Sequence, residues 1–344
     1  MHIYLGMEVE LLVASKRNGR WRAESRLKGK QITSLASDPE LPERVYCGTS
    51  GRGLFRSNNA GDTWELVGEG IHSAKVTAVA VSGVDRSKGH GVVYAGTELS
   101  ALFRSEDGGN SWRELKAFAQ LPSAPTWSFP PRPETSHVRW ITPDPLVSGR
   151  IFVAIEAGAL VRSLDGGEHW EDRRSDAPYD THTLVMHSKA PDRLYSAAGD
   201  GYSHPGRGYN ESNDGGDSWR RPDEGLKHNY LVSVAVDPAD PNTIVVSGAA
   251  SPAEAHGRSG ARSFIYRKQG ETPWQLASEG LPEAKGTIVP VLTSNNSEPH
   301  VFYALTNKGL YRSADAGLHW QQINIPWKPD YQGQHQQAIL VAEP

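Results

Sequence analysis

The chain has a single cysteine, Cys47, in 344 residues. No intramolecular disulfide is possible, which excludes a small stapled scaffold and suits a reducing compartment. No run of about 18 apolar residues occurs, the length that a membrane-spanning helix needs. Residues 1–8 lack the basic segment and long apolar stretch of a secretory leader and alternate like a strand, so the cytoplasm is the expected location. Neither sign of charge dominates: 36 Lys and Arg stand against 40 Asp and Glu, a net of −4. Nothing in that balance draws the chain to nucleic acid or an anionic membrane, and any charged site must be local. Also missing are Gly-x-Gly-x-x-Gly, a Walker loop, a Gly-x-Ser-x-Gly elbow, His-x-His and Cys-x-x-Cys, so no nucleotide, serine-nucleophile or metal motif is present.

What the chain does have is a repeat. Ser105-Glu106-Asp107-Gly108-Gly109-Asn110-Ser111-Trp112 recurs as Ser163-Leu164-Asp165-Gly166-Gly167-Glu168-His169-Trp170. It returns from Ser212 to Trp219 and from Ser313 to Trp320, and from Ser57 to Trp64 with Asn59 in place of Asp. Two decayed copies end at Trp21 and Trp274. The Asp or Asn side chain accepts backbone N–H groups of its own turn. Glycine supplies the positive φ of a compact hairpin, and the Trp buries a large face while its N–H stays near the turn. A calcium loop would need several alternating acidic ligands and a terminal Glu, which these turns lack.

Short apolar runs surround each copy. First strands are expected at 31–38, 76–81, 138–144, 231–237 and 288–293. Second strands are expected at 44–48, 92–96, 151–155, 194–198, 243–247 and 301–305. Third strands, at 54–56, 102–104, 160–162 and 310–312, end on the repeat, and its Trp opens a fourth. Such even, turn-bounded runs without helical periodicity predict an all-β chain. Seven tryptophan-ended units predict a single seven-bladed β-propeller of four-stranded antiparallel blades over residues 1–344. Residues 1–27 lack a first strand and 337–342 offer one. The seventh blade is therefore expected to be shared between 1–27 and 335–344, with the terminal strands pairing to close the ring and remove free edges.

These motifs resemble the Asp-box (BNR or YVTN-like) repeat propellers, and the resemblance covers essentially the whole chain. That family includes sialidases, sortilin-type receptors, tandem-propeller xyloglucanases and the photosystem II assembly factor; the likeness is greatest to bacterial BNR-repeat proteins. The resemblance implies the fold and leaves function to the site. A sialidase would carry Arg-Ile-Pro and an arginine triad; no Arg-Ile-Pro occurs, and Arg139, Arg207 and Arg262 have no matching context. The xyloglucanases use two propellers, where this chain provides one.

Propeller geometry puts the links between blades, and those from second to third strands, on one face. The longest insertions, 116–136, 199–211, 248–263 and 324–336, all fall there, where function concentrates. His137 and Arg139, two apart on a strand, point the same way. His182 aligns with Arg139 beside the axial channel, where other blades carry Thr33, Thr77, Val232 and Ile288. The candidate catalytic residues are His137, His182, Arg139, Asp200 and Glu156: a histidine as base, Arg139 for an anion, and Asp200 or Glu156 as acid. Candidate ligand-binding residues are Tyr202, His204, Arg207, Arg262, Trp140 and Arg52; at least one of Trp127 and Trp140 is expected to line the mouth. No cofactor is evident. The one metal arrangement left open is a cross-blade histidine site using His137, His182 and His204 or His228. The expected function is binding of a small or anionic ligand at the channel mouth. A hydrolase or lyase (glycosidase-like) using the same pocket, and a protein-assembly scaffold, are the alternatives. The expected partner is a small molecule or a protein on the long-loop face, with no nucleic acid and no membrane.

Overall fold

The repeated turn closes on itself in the same way in five places of a computed structural model, which describes residues 1–343. In the third of these turns Gly167 N donates to Ser163 Oγ at 2.8 Å, and Ser163 Oγ donates to Asp165 Oδ1 at 3.0 Å. His169 N then donates to that same Oδ1 at 2.9 Å, and Trp170 Nε1 to Gly167 O at 3.0 Å; Trp64 and Trp112 repeat this last bond, whereas Trp219 and Trp320 leave Nε1 without a partner among the described residues. Asn59 does the work of the Asp in the first turn, accepting Thr63 N at 2.9 Å. In the fourth, hydrogen bonds from the Ser218 hydroxyl and backbone hold the Asp214 carboxyl down at about 2.

Each turn is also a fastening point. The third-strand arginine that precedes it in sequence reaches to the turn of the next blade. Arg56 donates to Gly108 O, Arg104 to Gly166 O, Arg162 to Gly215 O and Arg267 to Ala316 O. A charged donor on a backbone carbonyl is stronger than a neutral pair, so the arginine after a Leu-x or, in blade five, an Ile-x pair ties blade to blade.

Seven antiparallel sheets result. Blade one runs Ile32–Asp38, Leu41–Thr49, Gly53–Ser57 and Glu65–Val67, each strand paired with the next. Blades two, five and six repeat this plan, beginning at Val76–Ser87, Tyr230–Val236 and Val291–Ser294. Blades three and four, beginning at Val138–Pro143 and Thr181–His187, have three full strands. Their fourth is reduced to single bridges, Arg162 to Glu171 and Glu211 to Arg220. In blade four Pro222, which has no N–H to give the ladder, stands where the strand would continue.

The seventh blade joins the two ends of the chain. Ala338–Ala342 is its innermost strand and pairs antiparallel with His2–Gly6, Leu340 opposite Tyr4. Leu11–Arg17 and Arg20–Arg26 complete it. Between them Asn18 and Gly19 have φ of 50° and 76°, the paired positive values of a two-residue hairpin turn. Pro344, the last residue of the expected closing segment, lies outside the described residues. The innermost strands neighbour one another in a complete circuit, the seventh against the first. Most of the core lies between adjacent sheets: Tyr46, Phe103 and Trp112 are packed together between the first two blades, and Phe152 and Leu184 between the third and fourth.

Blade six departs from the expected register. Its first strand starts at Val291, not near 288, because Pro290 cannot donate to a ladder. Ile288 therefore does not occupy the position of Arg139. The four insertions carry short helical turns, Lys116–Gln120 and Ala124–Thr126, Asp200–Ser203, Pro252–His256 and Pro329–Gly333. Among the described residues no helix is long and apolar enough to cross a membrane.

Candidate functional site

Five innermost strands carry a bulge at the same place, and it decides which side chains reach the axis. The extra residues are Thr33, Thr77, Arg139, His182 and Val232, each lying between two paired positions. A bulge re-aims the side chain it carries. Thr33 Oγ1 donates to Val76 O at 2.5 Å and Thr77 Oγ1 to Val138 O at 2.7 Å. His182 makes the equivalent bond, Nδ1 to Leu231 O at 2.6 Å. A carbonyl only accepts, so Nδ1 carries the proton and the tautomer is set by the fold.

The other nitrogen of His182 lies between two carboxylates. Nε2 is 3.4 Å from Glu156 Oε1 and 3.6 Å from Asp180 Oδ2. Glu156 follows the second strand of blade three, and its Oε2 is ion-paired with Arg139 Nε at 3.0 Å, with His137 Nε2 at 3.8 Å. Asp180 precedes the first strand of blade four, and its Oδ1 accepts Ala157 N at 2.8 Å. His182 is 2% exposed. Burial pushes Asp180 up to about 6, with the Glu156 charge adding to it and His182 opposing. Burial works against ionised Glu156 too, but the charges of His182 and Arg139 win and hold it below the usual carboxylate range. Burial disfavours charged His182, yet Asp180 and Glu156 together raise it to about 9.

A second row of polar groups continues around the mouth. Tyr230 packs edge-on against His182 with ring centres 5.2 Å apart, and its hydroxyl lies 3.0 Å from His256 Nε2. His256 Nδ1 is 2.5 Å from His335 Nε2, and Gln337 Nε2 donates to His335 Nδ1 at 2.5 Å. These contacts have one direction: the Gln337 amide donates to His335, His335 to His256, and His256 to the Tyr230 oxygen. Both rings must be neutral for that. Burial, reinforced by the mutual repulsion of the two rings, takes His256 down to about 2; burial takes His335 down to about 4. The chain leaves the Tyr230 hydroxyl hydrogen free to donate.

The axis itself holds a cavity of about 320 Å³, lined by all seven innermost strands. Arg139 and Gln337 stand at its long-loop end, Thr77 and Trp140 line its wall, and Val185, Val236 and Leu340 make it apolar further in. Among the described residues Arg139 is paired through Nε alone, which leaves its terminal nitrogens available at the mouth.

His137, Arg139, Glu156 and His182 therefore come together. Asp200 stands behind them: its Oδ2 accepts the backbone N–H groups of Tyr179 and Asp180 and so positions the loop carrying Asp180. Tyr202 is exposed, its ring 6.4 Å from Tyr230. His204 and Arg207 are exposed on the same loop, Arg207 bordering a depression with Arg173 and Tyr179. Arg262 lies over Phe264, and Arg52 borders a groove beside Glu69; neither touches the cluster. Trp140 lines the cavity, whereas Trp127 is buried against Phe118, its Nε1 donating to Ser123. His228 stacks on Phe264 and bonds Tyr266, and His204 is exposed on its loop, so neither completes the expected histidine set with His137 and His182. Asp180, Tyr230 and His335 escaped the sequence reading. The one sequence signal was Asp180-Thr181-His182, an acid two residues before a histidine on a strand.

No family model and no curated protein matches the chain. Among solved structures it is similar to the GH74 xyloglucanase from Xanthomonas campestris, at TM-score 0.66 and 18% identity over 94% of this chain and 52% of that one. The GH74 enzyme of Niastella koreensis gives 0.64 and 16% over 92% and 54%. YCF48 bound to D1 peptide gives 0.57 and 17% over 88% and 83%. The chain thus spans about half the length of the GH74 proteins, and these likenesses establish the seven-bladed fold.

Proposed function

We propose that the chain is an Asp-box propeller whose long-loop mouth binds a small, polar, anionic molecule. One observation carries this: a run of polar side chains in contact, Gln337, His335, His256, Tyr230, His182, Glu156 and Arg139, begins and ends on two residues that line the axial cavity, Gln337 and Arg139. Two donors in that run are unspent, the Tyr230 hydroxyl and the Arg139 guanidinium. A volume of 320 Å³ lies at the small end of ligand sites, and its deeper apolar wall suits a compact body behind a charged head.

The glycosidase-like alternative needs two carboxyl groups about 5 Å or more apart across a sugar. Donor atoms of Glu156, Asp180 and His182 all lie within 4.8 Å, and His182 fills the gap between the acids. That arrangement supports binding or acid–base work at one point and not hydrolysis across a ring. The assembly-scaffold alternative draws its support from YCF48, solved with a D1 peptide.

Thermal shift with defined probes tests the reading. Glucuronate and citrate at millimolar concentration should raise the melting temperature by a few degrees, and glucose should not. Arg139→Gln should remove the response. A response to glucose equal to that to glucuronate, or one that survives Arg139→Gln, sinks the proposal.

A further inference from the structure

We infer that Glu156, Asp180 and His182 form a site for one divalent first-row cation, with zinc as the geometric best fit. The inference deepens the reading of the mouth as a ligand site and rests on it for what the ion would serve.

Each of the three side chains has one atom committed outward and one turned inward. His182 gives Nδ1 to Leu231 O and presents Nε2. Asp180 gives Oδ1 to Ala157 N and presents Oδ2. Glu156 sets Oε2 against Arg139 and presents Oε1. Outer partners of this kind orient metal ligands and fix the histidine tautomer. The spacing fits as well. Donors at zinc's bond lengths around a tetrahedron stand about 3.4 Å apart; the two edges from Nε2 measure 3.4 and 3.6 Å. A mixed imidazole and carboxylate set suits zinc or manganese over magnesium.

Gly199 supplies an independent sign that this space is kept open. Its φ is −73°, so its backbone does not need glycine. A Cβ there would lie 2.1 Å from Asp180 Oδ2 and 2.9 Å from His182 Cε1, inside the cluster. With His182 buried and its Nε2 aimed at the same point, the absence of that methyl leaves Asp180 Oδ2 its place.

The test is calorimetric titration of EDTA-stripped, gel-filtered protein with zinc chloride, then manganese and magnesium chloride, with no organic ligand present. One saturable zinc site is expected, with manganese weaker and magnesium silent. Asp180→Asn and Glu156→Gln should each weaken zinc on the order of 100-fold, and Gly199→Ala at least tenfold. His319→Ala, which removes a surface histidine beside Asp315 and Glu279, should leave it unchanged. No saturable zinc heat, or wild-type affinity in both carboxylate variants, overturns the inference. Should those variants fail to fold, zinc-soaked wild-type crystals decide: anomalous density is expected against His182 Nε2, and density only elsewhere overturns it. Zinc binding with no glucuronate shift would remove the organic-ligand reading alone; the converse would remove the ion alone.

Discussion

His182 of the fourth blade and Leu231 of the fifth are joined by an imidazole-to-carbonyl bond of 2.6 Å, the counterpart of the hydroxyl-to-carbonyl bonds of Thr33 and Thr77 elsewhere in the ring. The site is thus built on a position that the fold already uses for fastening. Where Thr33 and Thr77 only hold blades together, His182 holds them and keeps a second nitrogen for other work. Arg139, at the same register one blade earlier, pairs with Glu156.

Thr33→Val tests the fastening away from the His182 cluster. The substitution is nearly isosteric and leaves Val76 O without its donor. A buried carbonyl left unpaired costs about 1–3 kcal/mol, or roughly 2–6 degrees of melting temperature in a chain of this size. Thr33→Ser should recover most of the loss. Equal melting of Thr33→Val and the parent, by calorimetry, would show that the bond carries no stability.

The register of these positions was legible because it follows from counting back along strands whose ends are marked. Thr33, Thr77, Arg139, His182 and Val232 align in sequence, and all five fall on bulges. The blades were legible because the Ser-x-Asp turn and its Trp recur as a local unit. Tyr230, His256 and His335 meet only through the path of the insertions 248–263 and 324–336 around the ring. Their contacts span 26 to 79 residues, and nothing local encodes them. Counting failed in blade six, where Pro290 delays the strand.

The neutral histidine pair predicts acid sensitivity. His335 has a folded value of about 4 and His256 is lower still, against 6.5 for a free histidine. Burial is the main cause for both; charge on His335 and on His182 adds to it at His256, and Arg139 opposes both rings. The unfolded chain therefore binds more protons below pH 6.5, and stability falls as pH drops from 6.5 toward 4. His335→Gln should flatten that slope in melts taken at pH 7.5, 6.0 and 5.0. An unchanged slope in the variant would locate the sensitivity elsewhere.

The turn aspartates titrate with the same sign in a lower window. Asp214 sits at about 2 in the fold against 3.8 unfolded, through its bonds from Ser218 and Ser212. Its contribution is complete above pH 3.8 and disappears as pH falls toward 2. Asp214→Asn keeps an acceptor, as Asn59 does naturally, and should cost little at pH 7. Asp214→Ala loses the acceptor and should melt several degrees lower. If Asn and Ala melt together, the turn is held by its glycines and not by the carboxyl.

The shared seventh blade makes the last prediction the most demanding. His2–Gly6 has a partner on each side, Ala338–Ala342 inward and Leu11–Arg17 outward. Removing residues 337–344 takes away the inner partner and uncovers Ile3 and Leu5, both fully buried. It also opens a row of unpaired backbone groups facing the axis, the kind of edge that recruits other chains. The six other blades would keep their strands, so an open array of six blades and a three-stranded seventh is the alternative state. A ring held mainly by neighbour contacts would lose one joint and melt a few degrees lower, as a repeat array does. A ring that depends on closure should lose ten degrees or more and sediment as concentration-dependent oligomers. Calorimetry and sedimentation velocity on the truncated chain separate the two, and a monomer with the parent's transition would mean that the terminal pairing adds nothing to the fold.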